Sequence, residues 1–335
     1  KGLRRTIMTA ALVLIISLIL LSIFGAFLGS ERAKRFFNSP PLSLYWLALT
    51  AILIEALVIF PKLVRLPGLL LHAGCILVLA GSMWASPAAH NARNRLLGID
   101  KIHAGEITIL EGHTENLVTL ENTNQTKQLP FSIKLNDFRI EYYTPEYLDI
   151  QTAEEALKIP VEIGTTFFLC PDLGSITILK KFENFKITID GDNKNIIDDP
   201  QPGYNPALQL QVQNPDGTSY TTYVFERFPR HFQHGDKFLF TYRKIIRDYI
   251  SDVEIIKDGK VVAQKSIEVN HPLYFGGYHF YQSSYDTEAH QYTILSVVSD
   301  TGLNLVYAGY IMLGTGVIWH FWIRNLLKKS KSKSK

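Results

Sequence analysis

The chain has 335 residues, of which 47% are hydrophobic and 19% are charged, and its net charge is +3. These averages resemble those of a soluble protein. The apolar residues, however, are concentrated in blocks of about 20, the length that crosses roughly 30 Å of hydrocarbon as a helix. The two cysteines, Cys75 and Cys170, form no CxxC or CxxCH sequence. The composition therefore argues against a soluble protein, a disulfide framework, a zinc cluster and covalent attachment of c-type haem to this chain.

Four apolar blocks predict membrane-spanning helices. The predicted spans cover about 7–28, 44–60, 69–85 and 303–323. The first span follows a basic leader, but it is longer than the apolar region of a secretion signal, which runs about 7 to 15 residues. We therefore interpret it as an uncleaved signal anchor.

Positive charge beside the spans indicates their orientation. Three segments are basic: 1–5 before the first span, 62–65 between the second and third, and the tail 324–335. A short basic loop at 32–35 opposes the orientation that these segments favour. Since three segments agree, we predict that both termini are cytoplasmic and that 87–302 lies on the extracytoplasmic, periplasmic face.

The sequence between the third and fourth spans changes to two-residue alternation, which is typical of strands with one buried face. The clearest examples are Phe131–Leu135, Phe185–Ile189 and Leu208–Val212. Asp216-Gly217 and Asp258-Gly259 separate such runs and predict tight hairpins. The predicted fold class is therefore a membrane protein with four transmembrane α-helices and a large antiparallel β-rich extracytoplasmic domain, built as a sandwich or open barrel.

Three segments depart from this alternation. Glu146–Lys158 predicts a short helix, and Asp190–Pro206, which is rich in Asp, Asn, Gly and Pro, predicts a long surface loop. The lysine and serine tract 324–335 is of low complexity and predicts contact with the lipid bilayer.

His72 lies in the otherwise apolar third span. An ionisable side chain is costly in hydrocarbon and usually faces the bundle interior, where it marks a pathway or a cofactor. Neutral imidazole is a common axial ligand of haem iron. We therefore predict His72 as a haem ligand, with a histidine hydrogen-bonded to a neighbouring helix as the alternative.

Three other residues are predicted at the same end of the bundle as His72. Glu55 lies at a similar depth in the second span, so its carboxylate could accept the second imidazole N–H and raise the basicity of the ligand. A glutamate that extends to the interface or pairs with Arg65 is an equal alternative, and Arg65 is also a candidate contact for a haem propionate. His320 could supply a second ligand, although its aromatic neighbours favour an interfacial aromatic belt.

Glycines recur in the third and fourth spans. Gly74 and Gly81 lie in the third span, and Gly309, Gly314 and Gly316 lie in the fourth. Small residues let helix backbones approach closely in lipid. Packing against a partner protein and packing within this chain are equally consistent with this pattern.

The sequence contains no nucleophile motif, phosphate loop, dinucleotide fingerprint or HExxH spacing. Hydrolase and nucleotide chemistry therefore have no support, and no catalytic residue is predicted. Nothing in the charge pattern indicates nucleic-acid binding.

Three segments resemble the ResB family, also called CcsB, of the System II cytochrome c biogenesis machinery. They are LLLHAGCILVLAGSM in the third span, LPFSIKLNDFRIEYYTPE in the β-rich domain, and IEVNHPLYFGGYHFYQSSYD shortly before the last span. The order of three helices, a large exterior domain and one closing helix also agrees with that family.

The resemblance implies a subunit that transports haem b and that acts in a cytochrome c synthase, or haem lyase, complex. The implied partners are a ResC (CcsA)-type membrane subunit, apocytochrome c and a thioredoxin-like ResA-type protein. In this family one transmembrane histidine of the ResB part ligates haem together with a histidine of the ResC part, and His72 matches that position. The implied location is the bacterial cytoplasmic membrane, or the thylakoid membrane for a plastid protein.

Two other functions remain open on the sequence. The first is a structural or electron-transfer subunit of a respiratory membrane complex built on the same scaffold. The second is a membrane-tethered adhesion or chaperone domain, which would bind no haem.

Overall fold

The computed structural model describes most of the chain. The described residues are 2–61, 63–121, 123, 125–152, 156–169, 173–190, 193–228, 238–299 and 301–323. The predicted basic tail 324–335 therefore lies outside the described residues.

Six α-helices are present among the described residues. They are α1 (Gly2–Leu28), α2 (Ser30–Phe37), α3 (Pro40–Ile59), α4 (Leu66–Trp84), α5 (Pro87–Leu97) and α6 (Leu303–Ile318), which continues as a π-helical turn, Trp319–Ile323. Four of them are long and apolar enough to span a membrane: α1, α3, α4 and the combined helix Leu303–Ile323. The four predicted spans are confirmed. The apolar pattern does not predict α2 and α5, because their residues are largely polar.

Proline, serine and glycine set the boundaries of α4 and α5. Pro67 occupies the first turn of α4, where its missing N–H costs no intrahelical bond, and Arg65 is the N-cap residue. The Ser86 hydroxyl caps α5 by accepting a hydrogen bond from the Ala89 N–H at 3.3 Å. Gly98 follows α5 with a left-handed backbone conformation, φ 64°. These residues limit α5 to a short helix directly after the span.

Helices α4 and α6 pack backbone against backbone through glycines. A methyl group added at Gly74 would lie 2.9 Å from the Gly309 carbonyl oxygen, and one added at Gly81 would lie 2.7 Å from the Gly302 carbonyl oxygen. Both distances are well below the roughly 3.5–4.0 Å of an ordinary contact, so a side chain would force the helices apart. The pair is antiparallel, and these glycines pack within the chain, which was one of the two alternatives.

The chain divides into two compact units. The helical unit comprises the described parts of Lys1–His103, Gly276–Tyr278 and Val298–Lys335, and the β-unit comprises those of Ala104–Phe275 and His279–Val297. Because α5 belongs to the helical unit, the β-unit begins later than the predicted domain boundary at residue 87.

The strands form several sheets. In chain order they are β1 (Ala104–Leu110), β2 (Thr114–Leu120), β3 (Thr126–Tyr142), β4 (Tyr147–Gln151), β5 (Ala156–Pro160), β6 (Thr166–Phe168), β7 (Ser175–Phe182), β8 (Phe185–Asp190), β9 (Asn193–Asp198), β10 (Ala207–Gln213), β11 (Ser219–Phe225), β12 (Leu239–Arg243), β13 (Ile246–Lys257), β14 (Lys260–Ile267), β15 (Leu273–Phe275), β16 (Tyr278–Tyr285) and β17 (Tyr292–Ser299). The largest sheet has the order β14-β13-β3-β2-β1-β17-β16-β15, and smaller sheets have the orders β11-β10-β7-β6, β12-β4-β5 and β8-β9. The pairs within them, such as β1 with β2, β3 with β13 and β10 with β11, are antiparallel. The large sheet ends at β14 and β15 without closing, and the predicted antiparallel β-rich domain is confirmed.

The three-stranded and four-stranded sheets share one apolar core, which makes this part of the β-unit a sandwich. Leu148 and Ile150 of β4 and Ile178 of β7 are completely buried in it. The predicted alternation is confirmed at Phe131–Leu135 and Leu208–Val212, whose apolar residues are buried. Two-residue periodicity therefore identified the strands that supply the core.

Both predicted hairpins are confirmed. Asp216-Gly217 lies between β10 and β11, and Asp258-Gly259 lies between β13 and β14. Asp258 and Gly259 have φ angles of 51° and 72°. Positive φ at both central residues matches the right-handed twist of the flanking strands, which is why Asp-Gly pairs favour this turn.

Two predictions for the β-rich domain are wrong. The segment predicted as a helix, Glu146–Lys158, contains β4 and β5, which pair with each other, while β4 also pairs with β12. Strand pairing and one-sided burial outweigh the helix propensity of its alanine, glutamate and lysine residues. The segment predicted as a loop, Asp190–Pro206, contains β9, which pairs with β8. On the predicted buried face of β8, Phe185 is buried but Ile189 is 72% exposed, so the alternation predicts burial correctly only at the start of this strand.

A network of ion pairs joins strands of the β-unit. Lys244, whose side chain is 4% exposed, lies 3.2 Å from one carboxylate oxygen of Glu183, and Lys181 lies 2.8 Å from the other. Lys181 also lies 2.9 Å from Glu146, and Lys244 lies 4.2 Å from the centre of the Tyr142 ring. Burial raises the pKa of Glu183, but the hydrogen bond from Lys181 and the charge of Lys244 outweigh burial and hold this pKa below its ordinary value.

We expect Glu183 to contribute to the pH dependence of stability in the acidic range. A carboxyl group whose pKa is lowered by folding stabilises the protein above its unfolded pKa of about 4.3 and loses this contribution as the pH falls through the folded value. In thermal unfolding of the detergent-solubilised protein, Tm should fall more steeply from about pH 6 to pH 3 for the wild type than for Glu183→Gln. Glu288→Gln removes an exposed carboxylate and should keep the wild-type slope. Equal slopes for the wild type and Glu183→Gln would contradict the expectation.

The glycine contact between α4 and α6 gives a second expectation. Gly309→Ala should lower the free energy of unfolding by about 1–3 kcal/mol, the usual cost of overpacking, because its methyl group would lie 2.8 Å from the Gly74 carbonyl oxygen. Gly314→Ala on the same helix is the matched control, since no described atom lies within 4 Å of its added methyl group. Alanine favours helix, so this control should be neutral or slightly stabilising. Unfolding in detergent measures both, and equal losses would refute the contact.

Candidate functional site

His72 lies half-buried in α4. Its Nδ1 atom lies 2.8 Å from the carbonyl oxygen of Gly68, one turn earlier in the same helix. A carbonyl oxygen can only accept a hydrogen bond, so Nδ1 carries the hydrogen and Nε2 carries the lone pair. The imidazole is therefore in the tautomer that allows Nε2 to bind a metal ion.

Neither Glu55 nor Arg65 forms a hydrogen bond or ion pair with His72 among the described residues. Glu55 is exposed on α3 and makes no hydrogen bond or ion pair with a described residue. The Gly68 carbonyl, and not the Glu55 carboxylate, accepts the imidazole N–H in this structure. Arg65 is exposed at the N-cap of α4. It precedes His72 by seven residues, which places both on one side of the helix and roughly 10 Å apart along its axis.

His320 lies at the same end of the helix pair as His72. A methyl group at Gly316 would lie 3.1 Å from the Leu70 side chain, and His320 follows one turn later, in the π-helical turn. This register places the backbone of His320 opposite the first turn of α4. The His320 ring is exposed and meets Phe321 edge to face, with centroids 5.1 Å apart, and no ring contact with His72 is present among the described residues.

The other end of the helical unit carries a polar cluster that the sequence patterns do not predict. Nε2 of His90 lies 3.1 Å from the hydroxyl oxygen of Thr301, and Nε2 of His103 lies 3.1 Å from the carbonyl oxygen of Ala85. The two imidazole rings meet edge to face with centroids 4.7 Å apart. Both histidines therefore lie beside the ends of membrane-spanning helices and are not scattered on a surface.

Arg93 is the buried charge of this cluster. It is 6% exposed, and its guanidinium lies 5.0 Å from the centre of the Trp84 ring. Burial lowers the pKa of Arg93, because removal of water disfavours the charged form. The sequence signal for this cluster is the spacing of three residues between His90 and Arg93. This spacing places the two side chains on one face of a helix, so it is informative only once α5 is known to be a helix.

His72 is the residue best suited to hold a metal-containing group. Among the described residues, no group of three or more His, Cys, Asp or Glu side chains is arranged to hold a metal ion. Haem needs only one or two protein ligands, because the porphyrin supplies the rest. A single imidazole with a free Nε2 lone pair fits that requirement.

Comparison with known proteins shows a family to which parts of this chain are similar. The model of the ResB-like family matches residues 62–155 and 223–290. Protein NrfI of Wolinella succinogenes is 36% identical over 74 residues, which are 22% of this chain and 8% of NrfI. This chain therefore corresponds to a small part of that relative.

The matched residues include the positions that carry the resemblance. All three segments with ResB-like sequence, as well as His72 and Arg65, lie within the matched residues, whereas Glu55 and His320 lie outside them. The chain therefore matches the ResB-like family over two segments that make up just under half of its residues, and its four membrane-spanning helices and antiparallel β-rich unit accompany this match.

Proposed function

We propose that this chain is a subunit of a System II cytochrome c synthase, in which His72 binds haem b during its transport across the membrane to apocytochrome c. The observation that carries the proposal is the hydrogen bond from His72 Nδ1 to the Gly68 carbonyl, 2.8 Å long. It leaves the Nε2 lone pair available to iron, within a helix of spanning length. Similarity to the ResB-like family supports the role in cytochrome c biogenesis.

The backbone around Gly68 supports a ligand role for His72. A carbonyl that accepts the second imidazole N–H fixes the tautomer, orients the ring and raises its basicity toward a metal. A methyl group at Gly68 would lie 2.7 Å from the Leu63 carbonyl oxygen. The tight turn before α4 therefore fixes the position of the carbonyl that holds the imidazole.

The proposal requires a second membrane protein. In the proposed complex, a ResC (CcsA)-type subunit supplies the opposing axial ligand. His320 is the alternative second ligand within this chain. The apolar faces of the spanning helices are available to such a partner or to lipid, since Leu44 and Val58 of α3 are 69% and 77% exposed. Apocytochrome c receives the haem, and a thioredoxin-like ResA-type protein is a further partner.

The proposed location is the bacterial cytoplasmic membrane, with the thylakoid membrane as the plastid equivalent. In this arrangement both termini are cytoplasmic and the β-unit is extracytoplasmic. His72 and Arg65 then lie toward the cytoplasmic surface, where haem enters. The basic residues that flank the spans support this orientation.

His72→Ala should abolish most haem binding. The chain is co-expressed with its ResC-type partner and purified in detergent, and bound haem is measured from the Soret absorbance per mole of complex. Loss of an axial ligand removes the bond to iron, so the variant should retain only a minor part of the wild-type haem. Added imidazole should restore part of it, because free imidazole can replace the missing ligand.

Two matched histidine variants accompany this experiment. His271→Ala changes an exposed histidine of the β-unit that pairs with Glu268, and it should leave haem unchanged. His320→Ala tests the alternative ligand at the same end of the bundle. Haem content that is unchanged in His72→Ala, or that falls equally in His271→Ala, would reject His72 as the ligand.

Arg65→Gln should weaken haem binding modestly. An ion pair between an exposed cation and a propionate contributes about 0.2–1 kcal/mol, which corresponds to an increase in Kd of up to about fivefold. The Kd is measured by haem titration of the co-expressed complex. Arg95→Gln, an exposed arginine of α5, is the control, and an equal effect of the two substitutions would exclude a propionate contact at Arg65.

A further inference from the structure

A cavity lies in the helical unit, at the end where α4 finishes and α6 begins. Its volume is about 210 Å³, and Trp84, His90, Arg93, Ile99, Lys101 and Thr301 form its walls. Pockets for drug-sized molecules have volumes of about 300–1,000 Å³. This cavity is therefore too small for a porphyrin and suits a compact polar group.

Arg93 gives the cavity its chemistry. It is 6% exposed, and neither Nη1 nor Nη2 has a hydrogen-bond partner among the described residues. The face of Trp84 covers one side of the guanidinium but accepts no conventional hydrogen bond. A buried cation without an anion is strongly unfavourable. The two Nη groups form a planar fork that matches two oxygens of one phosphate or carboxylate.

The remaining walls favour a negative charge. Lys101 supplies a second cation, and none of the described wall residues is acidic. Asp100, which precedes Lys101, accepts a hydrogen bond from the Asn94 side chain at 2.9 Å and is not one of the wall residues. Thr301 and His90, which both line the cavity, are joined by a 3.1 Å hydrogen bond.

The location of the cavity identifies the source of the anion. Trp84 is the last residue of the spanning helix α4, and Thr301 lies two residues before the spanning helix Leu303–Ile323. The ends of such helices lie at the level of lipid headgroups, where tryptophan is enriched and basic residues attract anionic lipids. The cations of the cavity therefore lie where phosphodiester groups are concentrated.

We propose that this cavity binds the phosphate group of an anionic phospholipid, with Arg93 as the bidentate ligand and Lys101 as the second cation. It is independent of the proposed haem site, because it lies at the opposite end of α4 and its occupant needs no iron.

The test measures lipid binding to the purified full chain. Native mass spectrometry of the detergent-solubilised protein is combined with titration of dioleoylphosphatidylglycerol or dioleoylphosphatidylcholine. The wild type should bind phosphatidylglycerol about tenfold more tightly than phosphatidylcholine, whose choline cation is repelled by Arg93 and Lys101. Arg93→Met should remove this preference, because it keeps the side-chain volume and deletes the charged fork.

Arg95→Met is the matched control, since Arg95 is exposed on the same helix and is not part of the cavity wall. It should change lipid affinity less than about twofold.

Lys101→Met provides a second test that remains available if Arg93→Met does not fold, because Lys101 is only partly buried. It should weaken phosphatidylglycerol binding by about threefold or more. Displacement of the lipid by millimolar inorganic phosphate would support the phosphate site but assign it to the free anion. An unchanged lipid preference in folded Arg93→Met would overturn the proposal. If Arg93→Met does not fold, an unchanged preference in Lys101→Met would overturn it. An effect of Arg95→Met as large as that of Arg93→Met would also overturn it.

Discussion

The direct contact between the backbones of α4 and α6 is the constraint on which the helical unit depends. Lipid provides no hydrophobic driving force between helices, so their association relies on short-range packing. Glycines at 74, 81, 302 and 309 allow carbonyl oxygens to lie where any side chain would collide. This contact fixes the register of the two helices. It thereby places His72 and His320 at one end of the pair, and Trp84 and Thr301 at the other.

The polar residues of the helical unit are compensated in two different ways. His72 satisfies its Nδ1 hydrogen through the Gly68 carbonyl of its own helix, so it needs no partner helix to hold its ring and keeps Nε2 for a ligand. Arg93 is buried against Trp84 without a hydrogen-bonding partner for either Nη group among the described residues. The hydrogen bond to Gly68 is sufficient for His72, because the imidazole is neutral. Arg93 carries a buried charge, which requires an anion to compensate it.

The β-unit reaches its stability by ordinary means. The sandwich core is filled by fully buried aliphatic residues such as Ile150 and Ile178, and the buried Lys244 is paired with Glu183 while its ammonium group lies over the Tyr142 ring. A buried lysine is tolerated only with such compensation. Two of the three segments that carry the family resemblance lie largely in this unit, so the resemblance there reflects packing as well as function.

The sequence by itself determined the four spans, the alternating core strands, the two Asp-Gly hairpins and the prominence of His72, because each depends on local periodicity, on turn chemistry or on the cost of a polar group in hydrocarbon. Tertiary structure decided the rest. Glu146–Lys158 forms strands because β12 is available for pairing, and the Gly68 carbonyl, one turn earlier in the same helix, accepts the Nδ1 hydrogen of His72. The cluster around Arg93 exists only because the end of α4, α5 and the segment before α6 meet, and no local pattern records a meeting of residues more than 200 positions apart.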